Sequence, residues 1–217
     1  MKYKKQSLKI TIWILVIAVS SPFLVYYYLK NNWESFATEK ELTEFVTKVK
    51  YAEELPDRFY ELYEEEHPNI LTYSLNRQIR NGLFSGNFTK SPSLLAAMIS
   101  DISRQDSDST KISNRKAYSL AWKLEEETTP KECLNWVLEN YKFDLYIHGI
   151  NEVANFYFRK GVSELSDREL SDIIDLMKKP SIVNVPDRSN EDLHWQNYFV
   201  LFSNFTQEIF RLSEILD

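Results

Sequence analysis

The sequence predicts a mainly α-helical protein, and three observations support that class. Glycine is scarce at 4 of 217 residues, whereas an average protein has about 7%. Residues that favour helices are plentiful, and residues that favour turns are few. No segment has a pattern that convincingly predicts a β-strand. We therefore expect a body of eight or nine short helices without an internal repeat.

The first predicted helix is apolar. Residues 10–29 carry no charge, and as a helix they span about 30 Å, the thickness of a bilayer core. Lysines precede this run and no acidic residue does, which predicts a cytoplasmic tail over 1–9, a transmembrane anchor over 10–29 and a body over 34–217 on the far side. A cleaved signal peptide is the alternative.

The body helices follow from caps and apolar spacing. We expect an early group of helices and two irregular segments: a helix capped by Thr38, one over 57–66, one over 70–83, a loop over 83–90, a helix from Ser91-Pro92 and a polar linker over 105–110. Later helices are predicted over 113–127, from Thr129-Pro130, from Gly149, from the Ser166–Glu169 capping box, and from Ser189 after a loop bracketed by Pro180 and Pro186.

Composition excludes several kinds of site. No GxGxxG or GxxxxGK[ST] motif occurs, so glycine-rich nucleotide sites are excluded. A single cysteine, Cys133, excludes an internal disulfide framework and a thiolate zinc site. The three histidines lie far apart, while a carboxylate-bound Mg²⁺ or Ca²⁺ remains open. Residues 31–217 carry 21 basic and 32 acidic side chains, a net charge of −11, which makes nucleic acid a poor partner.

The most specific pattern lies in residues 115–188. A basic pair at Arg115-Lys116, a helix end at Leu124-Glu125 and a helix start at Thr129-Pro130-Lys131 come first, and Gly149, Tyr157-Phe158, Lys160, Leu165-Ser166 and Glu169 follow with no gap among them. This pattern resembles the second half of the peptidoglycan glycosyltransferases, glycosyltransferase family 51. The resemblance implies a lysozyme-like helical glycosyltransferase domain, held by one N-terminal transmembrane helix in the bacterial inner membrane.

The chemistry of that family indicates which groups an active site needs. A sugar hydroxyl of lipid II attacks a glycan carried on undecaprenyl pyrophosphate, and a glutamate takes the proton. Cationic groups, often with a divalent metal, stabilise the departing pyrophosphate. The resemblance therefore implies the bilayer, lipid II and other cell-wall synthesis proteins as partners, with Mg²⁺ or Mn²⁺ if the chain is active.

The candidate site residues come from this resemblance. Counting without gaps from Leu55-Pro56 puts Glu66 at the catalytic position, whereas another alignment leaves the catalytic glutamate deleted. By its own sequence context, Glu66 ends an acidic run and also fits a solvated helix end. The resemblance assigns phosphate contacts to Arg115 and Lys116, whose alternative is surface charge. Ser93 alone keeps the polar chemistry of the family's Gly-Gly-Ser-Thr stretch.

A second acid of the family is missing. No carboxylate occurs between Lys111 and Lys123, and the expected position holds Ala117 or Ser119, depending on the alignment. Asp101 and Glu125 are the candidates to replace it. We therefore expect a relative with lost or reduced catalysis that binds an envelope partner or lipid-linked precursor. The alternatives are an active divergent transferase with Glu66 as base, and a helical membrane adaptor without enzymatic activity.

Overall fold

The computed structural model describes residues 2–86, 89–105, 108–143 and 147–178. It is mainly helical, as predicted. Its α-helices are α1 (Lys2–Asn31), α2 (Glu39–Lys50), α3 (Asp57–Glu66), α4 (Leu75–Ser85), α5 (Pro92–Ile99), α6 (Asn114–Glu127), α7 (Pro130–Asn140), α8 (Gly149–Val153) and α9 (Asp167–Lys178). The predicted loop between Pro180 and Pro186 and the predicted helix from Ser189 lie outside the described residues.

Helix α1 covers the whole apolar segment without a break. Many of its apolar side chains are exposed, among them Trp13, Ile17 and Phe23 at 62–70%. Within the described residues, however, no helix combines the length and the apolar character needed to cross a membrane.

Four predicted caps within the described residues are confirmed. Thr38 and Thr129 each accept a hydrogen bond from a backbone N–H three residues later and form a complete capping box, at the starts of α2 and α7. Ser91 caps α5, with proline at its first position. Ser166 and Glu169 bond reciprocally before α9. These short-range bonds satisfy N–H groups that a helix start otherwise leaves unpaired.

Two segments differ from the expectation. The helix predicted over 70–83 is divided into a 3-10 turn at Ile70–Thr72 and α4, because Ser74 caps a new helix. The polar linker predicted over 105–110 is replaced by an antiparallel ribbon of β1 (Arg104–Gln105) and β2 (Asp108–Ile112). A bond from Ser113 N–H to the Ser103 carbonyl at 2.9 Å closes the base of the ribbon, next to the start of α6.

Within the part of the chain that the structure describes, the core consists of two clusters that share α7. The first gathers the buried faces of α3, α7, α8 and α9. The second gathers those of α2, α5, α6 and α7 together with Leu75 of α4, and Leu29 of α1 packs against it. Leu134 and Leu138 of α7 belong to the first cluster, whereas Cys133, Trp136 and Val137 belong to the second. Because α7 is buried on opposite faces, it holds the two halves of the body together.

Candidate functional site

The carboxylate of Glu125 lies where the ends of three helices meet. Glu125 is in the last turn of α6. Its Oε1 accepts hydrogen bonds from the Ser93 hydroxyl and from the Leu75 backbone N–H, both at 2.6 Å. Ser93 lies in the first turn of α5, and Leu75 begins α4. A single oxygen therefore ties the N-terminal ends of two helices to the C-terminal end of a third.

A second layer of polar groups supports these helix ends. The hydroxyls of Ser91 and Ser93 lie 2.9 Å apart, and the Ser91 N–H donates to Gln78 Oε1 of α4 at 2.7 Å. Ser91, Ser93 and Gln78 are all buried. Because buried polar groups are costly when unpaired, this network holds the starts of α4 and α5 in a defined arrangement.

The packing of α6 explains why its terminal glutamate reaches this point. The buried face of α6 packs against α5 and includes Ala117, Leu120, Ala121 and Leu124. Leu124 is fully buried, so Glu125, one residue further, is held at the edge of that interface and is half-buried. The amphipathic pattern of α6 thus places the Glu125 carboxylate next to the starts of α4 and α5.

Burial dominates the electrostatics of Glu125. It raises the pKa of this carboxyl above its usual value, while the hydrogen bonds from Ser93 and Leu75 and the charge of Lys30 oppose that shift. Lys30 itself pairs with the neighbouring Glu126 at 3.2 Å. The site is therefore one in which an acceptor oxygen is well bonded and a full negative charge is disfavoured.

The end of α1 lies beside this cluster. The ring of Tyr26 meets the ring of Trp122 edge to face, with centroids 5.1 Å apart. On its other side the Trp122 Nε1–H donates to Asn76 Oδ1 of α4 at 3.0 Å. Trp122 therefore connects α1 with the first turn of α4, one helical turn before Glu125 on α6.

The basic pair lies at the opposite end of α6. Arg115 is exposed. Lys116 donates from Nζ to the Arg104 carbonyl at 3.2 Å and lies 5.6 Å from the Phe36 ring centroid. At about 1.5 Å of rise per residue, the pair is about 14 Å from Glu125 along the helix. The structure does not bring the basic pair together with Ser93.

Glu66 is exposed at the last position of α3. The preceding turn carries Tyr63, whose ring lies 4.8 Å from that of His67. Burial raises the pKa of Tyr63 to about 12. Helix α3 packs in the first core cluster, whereas α6 and α5, the helix that carries Ser93, pack in the second. The two sequence candidates Glu66 and Ser93 are thus carried by different halves of the body.

The two positions at which the family's second acid is expected are buried. Ala117 and Ser119 are both fully buried, and the Ser119 hydroxyl has no hydrogen-bond partner among the described residues. Of the two candidates to replace that acid, Asp101 is exposed and pairs with Arg104 at 3.5 Å, while Glu125 is in the cluster. In the described part of the chain, no three His, Cys, Asp or Glu side chains form a group that fits a metal ion.

Sequence reasoning named Ser93 and Glu125 but did not connect them. It missed Gln78 and the Leu75 N–H, because those partners are 13 and 50 residues away from the groups they bond. No local sequence pattern predicts a contact between residues so far apart in the chain. A usable signal was the serine cap at Ser91 with a second serine two residues later, which predicts a polar helix start in need of an acceptor.

Comparison with known proteins identified a family. The model of a protein family described as Transglycosylase matches residues 27–202, from the end of α1 to beyond α9. No curated protein and no solved structure matches the chain significantly.

Proposed function

Because this chain belongs to the transglycosylase family, glycosyltransferase family 51, we propose that it is a cell-wall protein that binds lipid-linked glycan precursor with little or no turnover. The observation that carries this proposal is the closed α6 face. Both positions that the family's second acid would take, Ala117 and Ser119, are small and fully buried. A carboxylate there would have no access to a substrate, and its charge would be costly to bury.

The burial of α5, the helix that carries Ser93, also supports the proposal of little or no turnover. The family's Gly-Gly-Ser-Thr stretch is replaced by α5, most of whose side chains are buried. Ser93 keeps a hydroxyl, but that hydroxyl is buried and donates to Glu125. A group committed to an internal hydrogen bond is not available to a phosphate oxygen. In our proposal, α5 stabilises the fold and does not contact the ligand as the family's Gly-Gly-Ser-Thr stretch does.

Polymerisation of labelled lipid II tests turnover directly. The full chain in detergent, with Mg²⁺ or Mn²⁺, is expected to give no glycan strands while it binds labelled lipid II saturably. Glu66→Gln is expected to bind as the wild type does. Glycan strands that disappear in Glu66→Gln would contradict the proposal and establish an active transferase with Glu66 as base. A chain that neither polymerises nor binds lipid II would point to the adaptor instead.

We further propose that α1 holds the chain at the bacterial cytoplasmic membrane, with residues 1–9 in the cytoplasm and the body outside. The exposed apolar side chains between Ile12 and Tyr28 support this, as does the lysine-rich start. Tyr27 and Tyr28 are exposed at the end of the helix, where an interfacial aromatic belt belongs.

Extraction and topology measurements test the membrane arrangement. The chain is expected to stay with membranes in alkaline carbonate and to leave them in detergent. Reporter fusions that are active only outside the cytoplasm are expected to work after residue 34 and not before residue 10. Release by carbonate, or a body reporter that works only in the cytoplasm, would contradict this arrangement.

A further inference from the structure

We propose that Glu125 is a positioning residue that orients α4, and that α4 presents Arg77 and Arg80 to the phosphate groups of the ligand. The inference rests on the proposed function for the identity of that ligand. It goes beyond that function by naming a helix and a carboxylate to which the family resemblance gave no phosphate-binding role.

Helix α4 is the basic element near the cluster. It carries Arg77 and Arg80 and no acidic residue, in a body whose net charge is −11. Residues three apart are neighbours on one helical surface, so Arg77 and Arg80 occupy adjacent positions on α4. Arg77 lies 5.6 Å from the Tyr73 ring centroid, and Arg80 is exposed. Paired guanidinium groups are well suited to bind phosphate oxygens.

Polar contacts set the orientation of α4. Leu75 and Gln78 of this helix are buried, Leu75 belongs to the second core cluster and Ile79 packs against it, so only a few apolar side chains hold the helix and polar contacts add to them. Asn76 accepts from Trp122, Gln78 accepts from the Ser91 N–H, and Leu75 donates to Glu125. Glu125 holds the first residue of α4, and all three contacts lie in the first turn. Loss of the Glu125 acceptor therefore frees the end from which the two arginines are positioned.

The acceptor oxygen, rather than the charge, performs this role. Glu125 Oε1 takes both hydrogen bonds, and among the described residues Oε2 takes none. A glutamine keeps an oxygen at the same place and can turn its amide toward solvent. Glu125→Gln should therefore preserve the orientation of α4, whereas Glu125→Ala should lose it. The matched control is Glu126→Ala, which removes the adjacent exposed carboxylate that pairs with Lys30.

Two measurements on the full chain test the proposal. The first is hydrogen exchange of the Leu75 amide, which needs no ligand. It is expected to accelerate by about tenfold in Glu125→Ala, in keeping with the loss of a buried hydrogen-bond acceptor, and to stay near the wild-type rate in Glu125→Gln and Glu126→Ala. An unchanged Leu75 amide in Glu125→Ala, or equal acceleration in Glu125→Gln, would overturn the positioning role.

The second measurement is binding to neutral phosphatidylcholine vesicles with and without labelled lipid II. Arg80→Ala, at an exposed position, is expected to weaken binding by about tenfold, the effect of one lost charge-assisted contact. Glu125→Ala is expected to weaken it similarly, and Glu125→Gln by less than about threefold. Wild-type affinity in Arg80→Ala would overturn the role of α4 even if Glu125→Ala failed to fold. If the wild type did not bind lipid II, the proposed function would fail, while the exchange result would still decide the role of Glu125.

Discussion

The carboxyl of Glu125 makes the stability of the fold depend on pH. Burial raises its pKa in the folded state above the ordinary value, so the folded protein binds this proton more tightly than the unfolded chain does. The contribution is complete below the unfolded pKa, about 4.3 for a glutamate, and is lost as pH rises through the folded value. The charged form is therefore tolerated at neutral pH at a cost in stability.

Glu125→Gln should remove that pH dependence. We expect the variant to be at least as stable as the wild type at pH 7, because glutamine keeps the acceptor and avoids the buried charge. The difference between the two proteins should grow in favour of the variant as pH rises from 4 to the folded pKa, and then level off. Urea unfolding at a series of pH values measures it. A variant that loses stability relative to the wild type as pH rises would contradict the assignment.

Gly149 allows a close backbone approach that no other residue fits. Its φ is +77°, and a Cβ at this position would collide with the Glu139 carbonyl oxygen. Gly149→Ala is expected to destabilise the fold by about 3 kcal/mol, from left-handed strain together with the collision. Gly86→Ala is the control, because φ there is +64° with no atom within 4 Å, and it should cost about 1 kcal/mol. Thermal unfolding of both variants tests this, and equal losses would refute the close approach.

At the scale of elements, the capping boxes define where helices begin. The Thr129 hydroxyl accepts from the Glu132 N–H, and the Glu132 carboxylate accepts from the Thr129 N–H at 2.6 Å. Thr129→Ala should destabilise the fold by about 1 kcal/mol, and Thr129→Ser, which keeps the hydroxyl, by much less. Chemical denaturation of the two variants gives the comparison. A serine variant as unstable as the alanine variant would show that the cap contributes nothing.

The same caps explain which elements could be predicted from sequence. The starts at Thr38, Ser91, Thr129 and Ser166 depend on bonds within four residues, so local sequence determines them. The Ser74 cap of α4 is equally local, but the Leu75 N–H of the same helix start finds its acceptor 50 residues later. The ribbon of β1 and β2 likewise depends on how the chain closes at Ser103 and Ser113. Sequence patterns do not contain such distant contacts.

The candidate site likewise combines features that local sequence determines with features that depend on distant contacts. Ser93 and Glu125 could be named from the family pattern, since each occupies a motif position. Their meeting depends on the packing of α5 against α6, and the closure of Ala117 and Ser119 depends on the same interface. Residue identity predicted the candidates, whereas tertiary packing decides which of them are accessible.

For the whole molecule, α7 makes the two core clusters one cooperative unit. Leu138 is fully buried in the first cluster, and Val137 lies almost fully buried in the second. Leu138→Ala should cost about 2–5 kcal/mol. Far-ultraviolet and near-ultraviolet circular dichroism should lose signal at the same urea concentration in this variant, as in the wild type. Separate transitions for the two signals would show that the halves unfold independently.

The overall charge sets how the chain meets a membrane surface. The body carries a net charge of −11, so an anionic bilayer repels it, while the proposed contact through Arg77 and Arg80 is local. We therefore expect the full chain to bind lipid II more weakly in vesicles rich in phosphatidylglycerol than in neutral ones. Salt near 0.5 M should reduce that difference, because it screens charges beyond a few ångströms. Tighter binding to the anionic vesicles at low salt would mean that a basic surface, and not the acidic body, faces the bilayer.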